Sequence, residues 1–552
     1  MTGVLRTLYV GGNVYSPGAP FATSMLVEGD RIAWLGEDAA AEVHREAVDA
    51  VVQLEGRLVT PGFVDAHIHA TSAGLTMEGL DLTRVQSKHE LLALLAQACS
   101  VAGADDVVIG HGWDETTWAG DPASRAIPSV DELDAVAAGR LVYLSRIDVH
   151  SALASSALRA RAPQCAGHDG FDAHGPLSRQ AHLAVREAAL SAISQEQRTR
   201  AHRLVRSVAA RRGIVCLQEN AGPSISSPDD LAALLSLAQA EPGPLVHGYW
   251  AELAANGGIE HARALGALGV AGDLFVDGAV GSRTACLCQP YSDAESTSGA
   301  AYLTVDEVAD HVMAATRAGM QAGFHVIGDC ACRTVTAGFR AAADALGVPA
   351  VRAAAHRIEH AEMLSDEDIA VLGELGVIAS MQPMFDSLWG GVDGMYDLRL
   401  GAERRAGMNR FADLLGAGVA LAFSSDAPVT AMEPWLAVRA AALHRTPEQR
   451  ISVRAAFSAH TRGGWRAMLD NEAGVLAPGA PAHLAIWDAP ELAVQVPDSR
   501  VSAWSTDPRS ATPALPVLAE GTPLPTCAAT FVAGECVYSS GGMDGLHGTG
   551  LA

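Results

Sequence analysis

Short apolar runs broken by glycine open the chain: LYVGGNVYS from Leu8, SMLVEGDRIAWLG from Ser24 and VVQLEGRLVTPG from Val51. Runs of this length with turn residues between them predict β-hairpins. The same style returns only near the other end, in AHLAIWD from Ala482 and TFVAGECVYSS from Thr530. VGGNVYS at Val10 and VAGECVYS at Val532 resemble each other, so the two ends are expected to meet in one small sheet rather than to form unrelated hairpins.

Between these ends, Ala/Leu-rich segments of helical period alternate with short apolar runs, as in a parallel sheet wrapped by helices. The candidate strands are FVDA at Phe63, IVCLQE at Ile214, PLVHGYW at Pro244, LFVDG at Leu274, GFHVIG at Gly323, RIEH at Arg357, GVIASMQP at Gly376 and GVALAFSSD at Gly418. Eight such runs are what a (β/α)8 TIM-type barrel needs. The first two stand roughly 150 residues apart, far beyond an ordinary βα connection. An inserted α+β subdomain is therefore expected after the first barrel strand, from pieces such as VVIGHGWDETTW at Val107 and RLVYLSRIDVHSALASSALRA at Arg140. Loops at that end of a barrel build active sites, so the insertion should shape the substrate pocket. The expected organisation is a composite β-sandwich from 1–62 and 474–540, a barrel over 63–473 with an insertion over 75–205, and a flexible Gly/Ser-rich tail over 541–552.

Composition narrows the functional classes. With 49% hydrophobic and 18% charged residues, the 552-residue chain is expected to be largely folded. A formal charge of −25, with no basic patch, argues against nucleic acid or an anionic membrane as partner. The odd count of nine cysteines carries no secreted disulfide framework, and Met1–Val10 lacks the apolar run of a signal peptide. A cytoplasmic protein acting on a small molecule, with no nucleic-acid or membrane partner and of homodimeric habit, is the expectation.

His67 and His69 lie two positions apart at the end of an apolar run, so in extended backbone both imidazoles face one side. Two convergent imidazoles can chelate a divalent metal, Zn2+ being well suited to nitrogen and oxygen donors. Alone, such a pair is often structural. However, His325 in GFHVIGD, His360 in RIEHAE and Asp426 in AFSSDAPV also fall at or near the C-terminal ends of candidate strands. In a parallel barrel those ends converge on one face, and packing gives no reason to gather such residues there.

The fragments FVDAHIH, LFVDGAVGSRTA, HVIGD, RIEHAE and SSDAPV resemble the amidohydrolase superfamily, specifically its amidohydrolase family 3 branch with N-substituted formamide deformylase-like proteins. The resemblance implies a barrel with a composite β-sandwich. It implies that His67, His69 and Asp426 hold one metal, and His325 and His360 a second where one is present. It implies attack by metal-activated water on an amide-like carbon, with Asp426 as general base and then acid. Many relatives carry a bridging carbamylated lysine where this chain has Asp273. Asp273 could ligate directly, Glu219 could replace it, or the site could be mononuclear with Asp273 solvated. His483, in AHL where relatives read ADL, is expected to matter only structurally. Trp113, Asp114, His150 and Arg283 match positions that line the family's substrate pocket. His111 and His356 are expected to be non-ligands.

The leading expectation is hydrolysis of a non-peptide C–N bond, in an amide, formamide or cyclic amide. A mononuclear deaminase of a ring amidine, with His325 near the departing ammonia, competes with it. A non-catalytic binding protein on the same fold is the third reading, disfavoured because the five ligand candidates are intact. The pairs Cys286/Cys288 and Cys330/Cys332 read as small buried fillers rather than thiolate ligands.

Overall fold

The computed structural model describes the chain except residues 1–3, 104, 116–117, 119–125, 147–150, 496–503, 506–511 and 542–552. Apart from Gly541, the tail expected over 541–552 thus lies outside the described residues. Two compact units emerge: Met1–His69 with Arg206–Ala552, and Ala70–Val205.

The first unit is built on eight parallel strands: β1 (Phe63–Ile68), β2 (Ile214–Ala221), β3 (Leu245–Trp250), β4 (Gly269–Val270), β5 (Gln321–Val326), β6 (Arg357–His360), β7 (Ile378–Met381) and β8 (Leu421–Phe423). Most are buried along their whole length, which is why they read as continuous apolar runs rather than alternating ones. They form two arcs, β3-β2-β1 and β4-β5-β6-β7-β8. Hydrogen bonds join the arcs at strand ends: Asp426 N–H to His67 O at 2.9 Å, His69 N–H to Ala427 O at 3.0 Å, and Leu268 N–H to Gly248 O at 2.8 Å. Among the described residues no continuous ladder closes the ring. Helices return the chain between strands and obey local signals. Val305–Ala318 starts at a Thr304/Glu307 capping box and stops at Gly319, φ 68°; Asp366–Leu375 starts at Ser365/Asp368 and stops at Gly376, φ 66°.

One expected strand is displaced. The run at Leu274 is not a strand; β4 ends at Val270, and Leu274–Gly278 makes only an isolated bridge, Phe275 to His325. Gly272, at φ 94°, turns the chain before the apolar LFV triplet can extend β4, and a Cβ there would come within 2.6 Å of the Asn220 side chain. Apolar character alone could not register that turn. Its consequence is that Asp273 follows the strand instead of preceding it.

Segments from both ends of the chain share a sheet in this unit. Leu484–Asp488 pairs antiparallel with Leu58–Pro61 on one side and Thr526–Val532 on the other. A second sheet holds Arg6–Val10, Ser24–Glu28, Arg31–Gly36 and Ala50–Gln53, and side chains of both sheets, including Tyr9, Met25, Ile32, Leu484 and Phe531, meet in one buried apolar cluster. His483 is buried beside it; its Nδ1 accepts the Ala533 N–H at 3.1 Å.

The second unit has a five-stranded sheet of Leu80–Asp81, Val108–Trp113, Val142–Arg146, Ser151–Ala154 and Leu177–Ser178. Helices Lys88–Val101 and Val130–Ala137 start at the N-caps Ser87 and Ser129. Two apolar clusters form its core. Among the described residues of the chain, no helix is long and apolar enough to cross a membrane.

The helix Arg462–Ala467 approaches β1 through Gly464, where a Cβ would meet the Val64 Cβ at 2.5 Å. Gly464→Ala is expected to cost about 1–3 kcal/mol through overpacking, read as a lowered urea midpoint. Burial holds His311, His460 and His483 neutral, with pKa values down at about 4, and His356 at about 3, below the ordinary 6.5. The unfolded chain therefore binds more protons than the folded one between these values. The stability they contribute is whole above pH of about 6.5 and is lost as pH falls toward about 4, so the urea midpoint should be lower at about pH 5 than at about pH 7.5.

Candidate metal centre

The centre is assembled from the ends of five parallel strands. His67 lies in β1 and His69 just beyond it, Asp273 follows β4, His325 lies in β5, His360 ends β6, and Asp426 follows β8. His360 (φ 66°) and Asp426 (φ 54°) are both held in the left-handed backbone region, which non-glycine residues rarely adopt. Asp65 secures the second of these turns. Its Oδ1 accepts the Ser425 N–H at 2.9 Å and its Oδ2 the Ser425 hydroxyl at 2.6 Å.

Asp273 is the hub. Its Oδ2 is 3.1 Å from His69 Nε2, and its Oδ1 is 3.5 Å from His67 Nε2, 3.4 Å from His325 Nδ1 and 3.5 Å from His360 Nε2. Asp426 Oδ1 is 3.4 Å from His67 Nε2 and 3.3 Å from His69 Nε2. Three overlapping donor groups result, His67/His69/Asp273, His67/His360/Asp426 and Asp273/His325/His360, each with its ligand atoms within 4.8 Å of one another. Asp273 is only 6% exposed, so the solvated alternative considered for it does not hold: Gly272 turns it inward. Glu219 is buried on β2 and belongs to none of the three groups. A bridging lysine has no source in the first unit. Lys88 is the chain's only lysine, and it lies in the second unit, paired with Glu132 at 2.7 Å.

The electrostatics favour a cation. Burial opposes charge on His67, but the carboxylates of Asp273 and Asp426 outweigh it and raise its pKa to about 10. Burial likewise opposes charge on Asp273, yet the surrounding imidazoles, His67 foremost, hold it well below the usual carboxylate range. His67 Nε2, His360 Nε2 and Asp426 Oδ1 are buried without a hydrogen-bonding partner among the described residues. Unpartnered buried polar atoms are costly, and all three are of a kind that could donate to a metal, converging on one place. The residues present therefore fit a divalent cation.

Sequence reasoning missed the residues behind these donors. His360 Nδ1 is 2.9 Å from Gln382 Oε1, and Gln382 Nε2 donates to Ser424 Oγ at 2.9 Å. His67 Nδ1 is 2.8 Å from Glu359 Oε2. Asp277 Oδ1 accepts the Ile327 N–H at 3.0 Å, and its Oδ2 those of Gly328 and Cys286 at 2.8 Å, which binds the loop after β4 to the end of β5. The available signal was RIEH itself, a fully buried strand with three ionisable side chains that must satisfy one another.

The residues expected on the substrate side make the following contacts. Trp113 has no exposed surface; it packs in the second unit's core and its Nε1 donates to Leu144 O at 2.9 Å. Asp114 pairs with Arg146 at 2.8 Å. His150 lies outside the described residues. Arg283 pairs with Asp293 through two contacts of 3.0 and 2.7 Å. His356 accepts the Ala322 N–H at 2.9 Å in the core, away from the donor groups, and no cysteine joins those groups among the described residues.

A TIM-type α/β array whose strand ends carry four imidazoles and two carboxylates has the makings of a metal-dependent hydrolase. A sequence model of the Amidohydrolase family matches residues 50–538, and the chain belongs to that family. Protein LONG AFTER FAR-RED 3 of Arabidopsis thaliana is 28% identical over 529 residues, covering 88% of each chain. The Bacillus subtilis (strain 168) protein YtcJ is 25% identical over 483 residues, covering 81% of this chain and 85% of its own. The crystal structure of an uncharacterized metal-dependent hydrolase from Pyrococcus furiosus superposes with a TM-score of 0.74 at 25% identity, covering 87% of this chain and 98% of its own.

Proposed function

We propose that the chain hydrolyses a non-peptide C–N bond in a small molecule, an amide, formamide or cyclic amide, at a centre whose residues would hold two divalent cations, with Asp273 among the donors to both. His67, His69 and Asp426 would hold one cation and His325 and His360 the other, with Asp273 near both sets. Formamides of the kind handled by the N-substituted formamide deformylase-like branch fall within this substrate range. The observation that carries the reading is that one carboxylate stands within 3.5 Å of all four imidazoles. Bridging two cations is work a carboxylate can do without the carbamylated lysine, for which this unit has no side chain. Imidazole and carboxylate donors suit Zn2+.

When bound, divalent cations at such a site supply Lewis acidity, lowering the pKa of water and polarising a carbonyl. The chain's own contribution is proton handling and orientation. Asp426, buried beside His67 and His69, is placed to take a proton from the attacking water and return it to the leaving nitrogen. Asp65 and Ser425 hold Asp426 in place for both steps.

One observation favours a second reading, a mononuclear deaminase. His67, His360 and Asp426 by themselves form a compact donor group, which leaves His325 beside a departing ammonia. Metal stoichiometry separates the two.

The purified protein should contain close to two equivalents of metal by elemental analysis, lose turnover on an amide, formamide and cyclic-amide panel after chelation, and regain it with Zn2+. Asp273→Ala should fall to one equivalent or fewer; wild-type protein with one equivalent, together with release of ammonia from a ring amidine, supports the deaminase instead. Asp426→Asn should lower kcat by roughly 100-fold or more while metal stays bound, as expected for loss of a proton-transferring group. Unchanged kcat would remove Asp426 from the chemistry.

A further inference from the structure

Beneath the metal centre lies a charged pair that no step of the proposed reaction uses. Arg357 and Glu359, both on β6, have fully buried side chains. Arg357 Nε donates to Glu359 Oε1 at 2.6 Å, Nη2 to Glu359 Oε2 at 3.0 Å and to Ala66 O at 2.7 Å, and Nη1 to Gln218 Oε1 at 2.7 Å. The guanidinium also lies over the Tyr249 ring, 4.5 Å from its centroid. Tyr249 in turn donates to Gln321 Oε1 at 2.9 Å. The pair is thus tied to β1, β2, β3 and, through Tyr249, β5.

Burying an ion pair in this way gives little net stability compared with apolar packing, so its presence calls for another account. Glu359 supplies one. Besides Arg357, its Oε2 meets His67 Nδ1 at 2.8 Å. Two guanidinium N–H groups of Arg357 donate to its two oxygens, so Glu359 is a carboxylate and can only accept. His67 then keeps a proton on Nδ1, so Nε2, which faces Asp273 and Asp426, is the nitrogen offered to a cation.

We propose that Glu359, anchored by Arg357, is a positioning residue that locks His67 in the Nδ1–H form and so keeps Nε2 open to a cation. This rests on the metal-centre reading above. It goes beyond that reading because it assigns a task to a side chain that touches neither metal nor substrate.

Two substitutions test it, with Zn2+ affinity measured by chelator competition on the full chain. Glu359→Gln nearly preserves volume, but three N–H donors, two from Arg357 and one from His67, point at this group. An amide has one acceptor oxygen, and where its NH2 faces His67 it demands the Nε2–H tautomer. Glu359→Asp keeps the charge opposite Arg357 while withdrawing the carboxylate from His67, and serves if the glutamine variant fails to fold. Each variant is expected to bind Zn2+ about 10–100-fold more weakly with native circular dichroism. In the Zn2+-loaded protein, the His67 Nδ1–H proton should show the low-field shift of a hydrogen bond to a carboxylate in the wild type and lose it in Glu359→Gln. A packing role alone would move thermal stability but neither the tautomer nor the affinity. Wild-type Zn2+ affinity in both variants, while His67→Ala binds poorly, overturns the positioning role alone. Wild-type affinity in His67→Ala overturns the metal-centre reading and this inference with it.

Discussion

Four imidazoles and two carboxylates crowded into a space largely closed to water make a donor set suited to a cation. Burial disfavours charge on each group, yet mutual attraction raises His67 and lowers Asp273 far from their ordinary values. Three of the donor atoms still find no hydrogen-bonding partner among the described residues. A positive ion relieves all of these at once, since it compensates the carboxylates and accepts the imidazole lone pairs. The remaining architecture of the first unit can be understood as what holds such a cluster together.

That holding is done by ordinary means carried into unusual places. Parallel strand ends bring residues from distant parts of the chain within a few ångströms. Two of the donors, His360 and Asp426, sit on backbone that non-glycine residues avoid, and neighbouring hydrogen bonds keep them there. Asp65 clamps Ser425 beside Asp426, while Gln382 links His360 to Ser424. The strain is local, and the buried strands that carry it are stiff because they are covered on both faces.

Much of the donor set was legible from residue type and position, because a histidine or aspartate at the end of a buried apolar run has few other uses. His67, His69, His325, His360 and Asp426 all come together in the structure. Asp273 was the hardest to read. Its surroundings depend on a turn at Gly272 that an apolar pattern does not encode, and the pattern assigned the strand to the triplet after it instead. Arg283, read from the sequence as a pocket residue, is paired with Asp293.

By itself the sequence determined the succession of buried strands and capped helices, the identity of the imidazole and carboxylate donors, and the pairing tendency of the two chain ends. Those follow from properties of single residues and their near neighbours: apolar surface, helix caps, turn glycines, metal-donor chemistry. Only the tertiary structure decided that Asp273 stands among all four imidazoles, and that Glu359 and Gln382 orient His67 and His360. Each of these is a contact of about 3 Å between segments far apart in the chain, and hydrogen bonds and metal coordination depend so steeply on distance and angle that no linear pattern can specify them.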